Sequence, residues 1–193
     1  MNGLRLIGLL PTLAILGGCG KPSAAAPGNS GGATGAAPAT VAASAAGASR
    51  FIALPGLATK AQPKLPTIKV WLGAEELITE MARSPDEVET GMMFRTNMAE
   101  NEAMIFVLPY VQQARFWMAN CPHPLSVAYI NTEGVIEEIH PLEPFNTNNV
   151  VAQATNIRFA LETPQGWFDR HHVSTGMVIR TERGSLKQTF LER

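Results

Sequence analysis

The residues best able to do chemistry fall together in the run Phe116-Trp117-Met118-Ala119-Asn120-Cys121-Pro122-His123-Pro124-Leu125, which places an aromatic, an amide, a thiol and an imidazole within ten residues. A cysteine nucleophile needs a nearby base or a depressed pKa, and His123 lies two residues from Cys121. Pro122 and Pro124 hold this backbone extended, so the two side chains share a face but project side by side. A buried Cys121 acting as a small hydrophobe fits the run better than a nucleophile. His171 and His172 are adjacent, and neighbours in sequence diverge in either a helix or a strand, so no metal site is expected. Glu137, Glu138, His140 and Glu143 read as the solvated face of a hairpin. Trp117, Trp167, Tyr110 and Phe168 could stack on a sugar ring or peptide, and Met92, Met93, Met98, Met104 and Met118 could line a soft cavity, although both residue types more often fill cores. The chain carries no glycine-rich phosphate loop, nucleophile elbow or zinc-protease helix. No catalytic set and no cofactor is expected.

The elements that must position these residues are short apolar, β-branched runs separated by Gly, Pro and Asn: 67–72, 77–81, 104–108, 114–118, 127–131, 135–140, 157–162 and 177–181. Their spacing predicts a mainly β chain, a compact β-sandwich or barrel-like single domain with one or two short helices. Asn131-Thr132-Glu133-Gly134 between two runs makes 127–140 a hairpin with Gly134 at positive φ. Ser84-Pro85-Asp86-Glu87 matches a capping box with proline at the first helical position, opening a helix that ends at Gly91. A second helix of one or two turns is expected within 165–172.

Composition confines the folded part to residues 65–193. Residues 1–18 read as a lipoprotein signal peptide: Arg5 is the basic start, 6–16 the apolar run, and Leu16-Gly17-Gly18-Cys19 the small-residue approach to a lipidated cysteine. That run is shorter than the roughly 20 apolar residues a spanning helix needs. Residues 19–64 then read as the lipidated Cys19 and a disordered tether, because 24 of the 30 residues from 21 to 50 are Ala, Gly, Ser or Pro and offer nothing to bury. Treated as a flexible coil, the tether holds the domain roughly 35 to 40 Å from its anchor on average. The expected location is exported and anchored to the cell envelope by lipid. Gly20 after the cysteine favours the periplasmic side of the outer membrane in a host with two membranes. Formal charge is −1; with no basic block, nucleic acid is not an expected partner, and membrane contact should come through the lipid. Of the two cysteines, lipidation uses Cys19, which leaves Cys121 without a disulfide partner.

Four segments resemble the bacterial and archaeal family catalogued as domain of unknown function 192. Gly91-Met92-Met93-Phe94-Arg95 is similar to its Gly-Leu-Met-x-Arg element, and Ala103-Met104-Ile105-Phe106-Val107 to its Gly-Met-Leu-Phe-Val strand. Phe116-Trp117-Met118-Ala119-Asn120 with Pro124-Leu125 resembles its Phe-Trp-Met-Lys-Asn and Pro-Leu-Asp signature, and Leu161-Glu162 through Gly166 and Gly176 its closing segment. The resemblance implies a compact β-sandwich or barrel-like domain, often exported, and no particular reaction. Ala119 stands where lysine is usual and Ser126 where aspartate is usual, so an acid/base pair at those positions is not expected here.

The leading expectation is a non-enzymatic, lipid-anchored domain binding a small ligand, glycan or envelope protein near Arg95, Trp117, Met118 and Asn120. Arg95 could instead pair with a carboxylate such as Glu162 or cap helix carbonyls, and Asn120 could bond its own backbone in a turn. One alternative is an enzyme on cell-wall or glycan material with Glu162, His123 or His171 as acid or base. Another is an assembly factor for an envelope complex.

Overall fold

The computed structural model describes residues 50–192, so the expected signal peptide, the expected lipidation at Cys19 and the expected tether up to residue 49 lie outside the described residues. Ten strands and three helices follow in order: β1 (Thr67–Leu72), β2 (Glu75–Ala82), α1 (Pro85–Thr90), β3 (Glu102–Gln112), β4 (Arg115–Phe116), β5 (Leu125–Asn131), β6 (Ile136–Leu142), β7 (Val150–Val151), β8 (Ile157–Pro164), α2 (Trp167–Arg170), β9 (Ile179–Thr181), β10 (Gly184–Ser185) and α3 (Leu186–Phe190). Eight strands form one curled sheet in the order β10-β9-β1-β2-β3-β8-β5-β6, and β4 pairs with β7 apart from it. The chain is mainly β, as its strand spacing suggested. Within the large sheet β2 and β3 pair in parallel and every other neighbour is antiparallel. The crossover between β2 and β3 carries α1.

Both faces of the sheet are buried, which explains why its central strands read as unbroken apolar runs. On β3, Ala103 and Ile105 enter one apolar layer while Met104, Phe106 and Leu108 enter the other; on β5, Ala128 and Ile130 oppose Leu125, Val127 and Tyr129 in the same way. The first layer is closed by Trp167 and Phe168 of α2, by Val173 and by Leu186 of α3. Among the described residues no long helix covers the second layer. Met92, Ala114, Met118, Cys121 and Ala152, all in connecting segments, close it instead, and so the segment richest in chemistry becomes a lid on the sheet.

Local signals formed as their chemistry requires. The Ser84 hydroxyl accepts the Glu87 N–H at 3.3 Å, and the Glu87 carboxylate accepts the Ser84 N–H at 2.9 Å. Gly91 then ends α1 at φ 45°, and a Cβ there would stand 3.2 Å from the Phe106 ring, so a side chain would strain the backbone and press that ring. The hairpin of β5 and β6 turns at Gly134 with φ 84°, while the Asn131 side chain accepts from Glu133 N at 2.9 Å and Val135 N at 3.1 Å.

Three features depart from the sequence reading. The expected strand 114–118 pairs only over β4, because from Trp117 the chain turns away and Met118 N donates instead to Asn146 O at 2.8 Å. The third helix, α3, carries a full capping box from Ser185 and Gln188 that the sequence reading passed over. Residues 50–64, assigned to the tether, are held to the domain at several points: Gln62 Nε2 donates to Gly91 O at 2.9 Å, Pro63 O accepts from Arg95 Nη2 at 3.3 Å, and Ile52 bonds Asn120.

Candidate functional site

A cleft of about 240 Å³ opens beside α1 over the second apolar layer. Its walls come from the 88–93 segment, from Phe106 and Leu108 on β3, from β4, and from Trp117, Met118, Ala119 and Cys121. Met92, Met93 and Met118 make it soft and polarizable, and the exposed Glu89 and Arg115 place opposite charges in its lining. The volume is below the ~300–1,000 Å³ of drug-sized sites. It suits a single small apolar group.

The four candidate binding residues divide between this cleft and two other places. Trp117 and Met118 line it. Arg95 faces elsewhere: its Nη1 pairs with Glu80 Oε1, its Nη2 donates to Glu80 Oε2 at 2.9 Å and also to Pro63 O at 3.3 Å. The arginine therefore meets a carboxylate, as its chemistry suggested, but on β2 and not at Glu162. Asn120 is 1 % exposed and does not bond its own turn. Its Oδ1 accepts from Ile52 N at 2.7 Å and its Nδ2 donates to Ile52 O at 2.9 Å.

Backbone conformation singles out the same neighbourhood. The described residues include four non-glycine positions in the left-handed region, Phe94 (φ 62°), Asn120 (φ 57°), Phe145 (φ 59°) and His172 (φ 54°). Asparagine visits this region readily, but phenylalanine does not, and each such residue costs on the order of 1–3 kcal/mol. Phe94 N donates to Asn120 O at 2.7 Å and Phe145 N to Cys121 O at 3.0 Å, so these strained turns are tied together.

The acid, base and nucleophile candidates do not assemble. Burial, with a contribution from the Glu162 charge, pushes the Cys121 thiol up to about 12; its sulfur faces the His123 carbonyl oxygen at 3.7 Å and not the ring. His123 is lowered by burial, and its Nε2 is enclosed without a partner. Glu162 sits on β8 between Met104 and Val127 of the adjoining strands, is 4 % exposed, and has an unpartnered Oε2. Burial raises its carboxyl to about 8. His171 belongs to the opposite layer, stacked on Trp167 at 4.4 Å and bonded to Glu75 and Glu100 at 2.9 and 3.1 Å. Trp167 and Phe168 pack edge to face in that layer, and Tyr110 is exposed on β3, so the four aromatics form no common platform. Among the described residues no three His, Cys, Asp or Glu side chains come together as a metal site.

Comparison with known sequences decides the family. The model of DUF192, described as "Uncharacterized ACR", matches residues 69–181. The chain belongs to the DUF192 family. Two solved structures share its fold: a Sinorhizobium meliloti protein described as a candidate transcription regulator, with TM-score 0.59 and 26% identity over 62% of this chain and 97% of that one, and a protein of unknown function from Novosphingobium aromaticivorans, with TM-score 0.57 and 25% identity over 65% and 94%. None of the curated proteins matches the chain.

Ala119 and Ser126, the positions where the resemblance leads us to expect a lysine and an aspartate, have visible roles in this chain. Ala119 is buried in the cleft wall. The Ser126 hydroxyl accepts the Gly166 N–H at 2.9 Å, which holds the left-handed glycine (φ 73°) at the start of α2. Ser126 is thus a backbone fastener in this chain. The signal missed in the sequence was Phe94, Phe145 and Phe51, none of which carries a reactive group.

Proposed function

We propose that this DUF192 domain is a non-enzymatic binding module held at the cell envelope by a lipid on Cys19, and that its cleft receives a small apolar group. The observation that carries the binding reading is the cleft of about 240 Å³ walled by Met92, Met93, Phe106, Phe116, Trp117 and Met118. A flexible thioether lining adapts to an apolar guest, and an aromatic wall supplies dispersion contact without demanding hydrogen-bond partners. The enclosed chemistry supports binding over turnover: the Cys121 thiol is held protonated, and Glu162 lies sealed between apolar strands. The anchor rests on the Leu16-Gly17-Gly18-Cys19 approach and the Ala/Gly/Ser/Pro composition that follows it.

The cleft is tested by titrating phenol into the protein and following the methionine methyl signals by NMR. Saturable shifts are expected for Met92, Met93 and Met118, with Met81 on the opposite layer unmoved, and Trp117→Ala should weaken binding by about tenfold or more, one aromatic contact being worth about 0.5–1.5 kcal/mol beyond its buried area. Absence of any saturable shift at millimolar phenol would remove the cleft as a site. The anchor is tested separately by Cys19→Ser, which is expected to move the protein from the membrane fraction to the soluble one; retention of the variant with membranes would refute lipid anchoring.

A further inference from the structure

We propose that Phe94, Asn120 and Phe145 form a peptide-binding cup, and that Arg50-Phe51-Ile52 is its resident occupant, exchangeable for an extended basic–aromatic–aliphatic segment of another protein. This site is distinct from the apolar cleft and does not rest on that reading. Asn120 presents both halves of its amide to both backbone groups of one residue, accepting from Ile52 N at 2.7 Å and donating to Ile52 O at 2.9 Å. The Asn120 side chain thus reads only the main chain of its guest, as a sheet edge reads an added strand, so the position accepts any residue that has an N–H. Specificity comes from the residues before it. Phe51 stacks on Phe94 with centroids 5.1 Å apart and planes at 21°, and meets Phe145 edge-on at 5.5 Å and 75°. The Arg50 guanidinium stands 5.4 Å from the Phe145 centroid, a cation over an aromatic face.

Receptor and occupant are built differently. The receptor is fixed: Asn120 is buried, all three of its residues are in the left-handed region, and backbone bonds lock Phe94 to Asn120 and Phe145 to Cys121. Left-handed residues drawn from three separate segments around one point, two of them phenylalanines under strain, mark a positioned site. The occupant lies at the surface. Phe51 remains 43 % exposed, and residues 50–54 belong to no strand, so leaving the cup breaks no sheet. Residues 21–49 on its N-terminal side are Ala-, Gly- and Ser-rich, and a turn closed by Leu57 N to Leu54 O at 3.0 Å follows it. The resident competes as an intramolecular ligand, at the high effective concentration of a short connection.

The test uses the full chain and a fluorescein-labelled peptide, Gly-Ala-Ser-Arg-Phe-Ile-Ala-Leu-Pro-Gly, the sequence of residues 47–56. Phe51→Ala in the protein takes the resident's ring out of the cup and weakens its hold, and fluorescence anisotropy should then report binding about tenfold or more tighter than to the wild type, where the full resident must be displaced. Asn120→Ala added to Phe51→Ala should abolish the gain. Because Asn120→Ala could disturb folding, the decisive control changes only the ligand: a peptide with proline in place of isoleucine lacks the N–H that Asn120 accepts, and should bind the folded Phe51→Ala protein about tenfold or more weaker. No saturable binding to Phe51→Ala, or equal binding of the proline peptide, overturns the proposal. A full chain that is dimeric in light scattering, and monomeric as Phe51→Ala, overturns the assignment to another protein in favour of a second copy.

Discussion

Replacing Glu162 by glutamine is expected to stabilise the domain at alkaline pH by about 2–3 kcal/mol and to flatten its dependence on pH. Glu162 lies between Met104 and Val127, both wholly buried, with one oxygen unpartnered. Burial therefore raises its carboxyl from 4.5 to about 8 in the folded state. Between those two values the folded chain holds a proton that the unfolded chain has released. Stability is thus full below about pH 4.5, falls as pH rises through the window, and levels off above about pH 8. At 1.36 kcal/mol per unit the whole fall amounts to about 4–5 kcal/mol. Glutamine removes this cost, offset by about 1–3 kcal/mol for an amide buried without partners. Urea unfolding at several pH values measures both. The same pH slope in the variant as in the wild type would show that Glu162 is not the titrating group.

Arg95→Met is expected to lower stability by about 3–4 kcal/mol, the largest loss anticipated for any single residue of the family motifs. Both charges are largely enclosed, with side-chain exposures of 16% for Arg95 and 9% for Glu80, and the pair is two-pronged. Removing the arginine leaves a carboxylate in place with little besides the Leu65 N–H at 2.7 Å to satisfy it. It also deletes the bond to Pro63 O, so the 62–65 segment should loosen as the pair breaks. The double variant Glu80→Leu with Arg95→Met, in which no charge is stranded, should recover a large part of the loss. Chemical denaturation of the single and double variants supplies the comparison. A loss under about 1 kcal/mol in Arg95→Met would place the pair among ordinary surface bridges and end this account of Arg95.

How much of this was readable in advance depended on how far apart in sequence the partners stood. The box of Ser84 and Glu87 and the turn of Asn131 with Gly134 are closed by residues three or four apart, and their chemistry determines them locally. The same physics places a box at Ser185 and Gln188, equally local, at the head of a helix of only five residues. Partner choice at long range was not legible. Arg95 needs a carboxylate, but only the parallel pairing of β2 with β3 in the sheet brings Glu80 within reach in place of Glu162. The 50–64 segment showed no pattern marking it as bound, because its hold depends on groups supplied by the domain: an amide from Asn120, a helix-end carbonyl from Gly91, and rings from Phe94 and Phe145.

By itself the sequence determined the family, the mainly β character, the expectation of a lipid anchor, and the residues that carry the motifs, since each is written in local spacing and composition. Tertiary structure alone decided that the motif splits three ways, with Trp117 and Met118 in a cleft, Arg95 in a buried pair and Asn120 on a peptide backbone. The reason is geometric. Consecutive residues of a turning segment point in different directions, and which neighbour each one meets is set by strands that arrive from elsewhere in the chain.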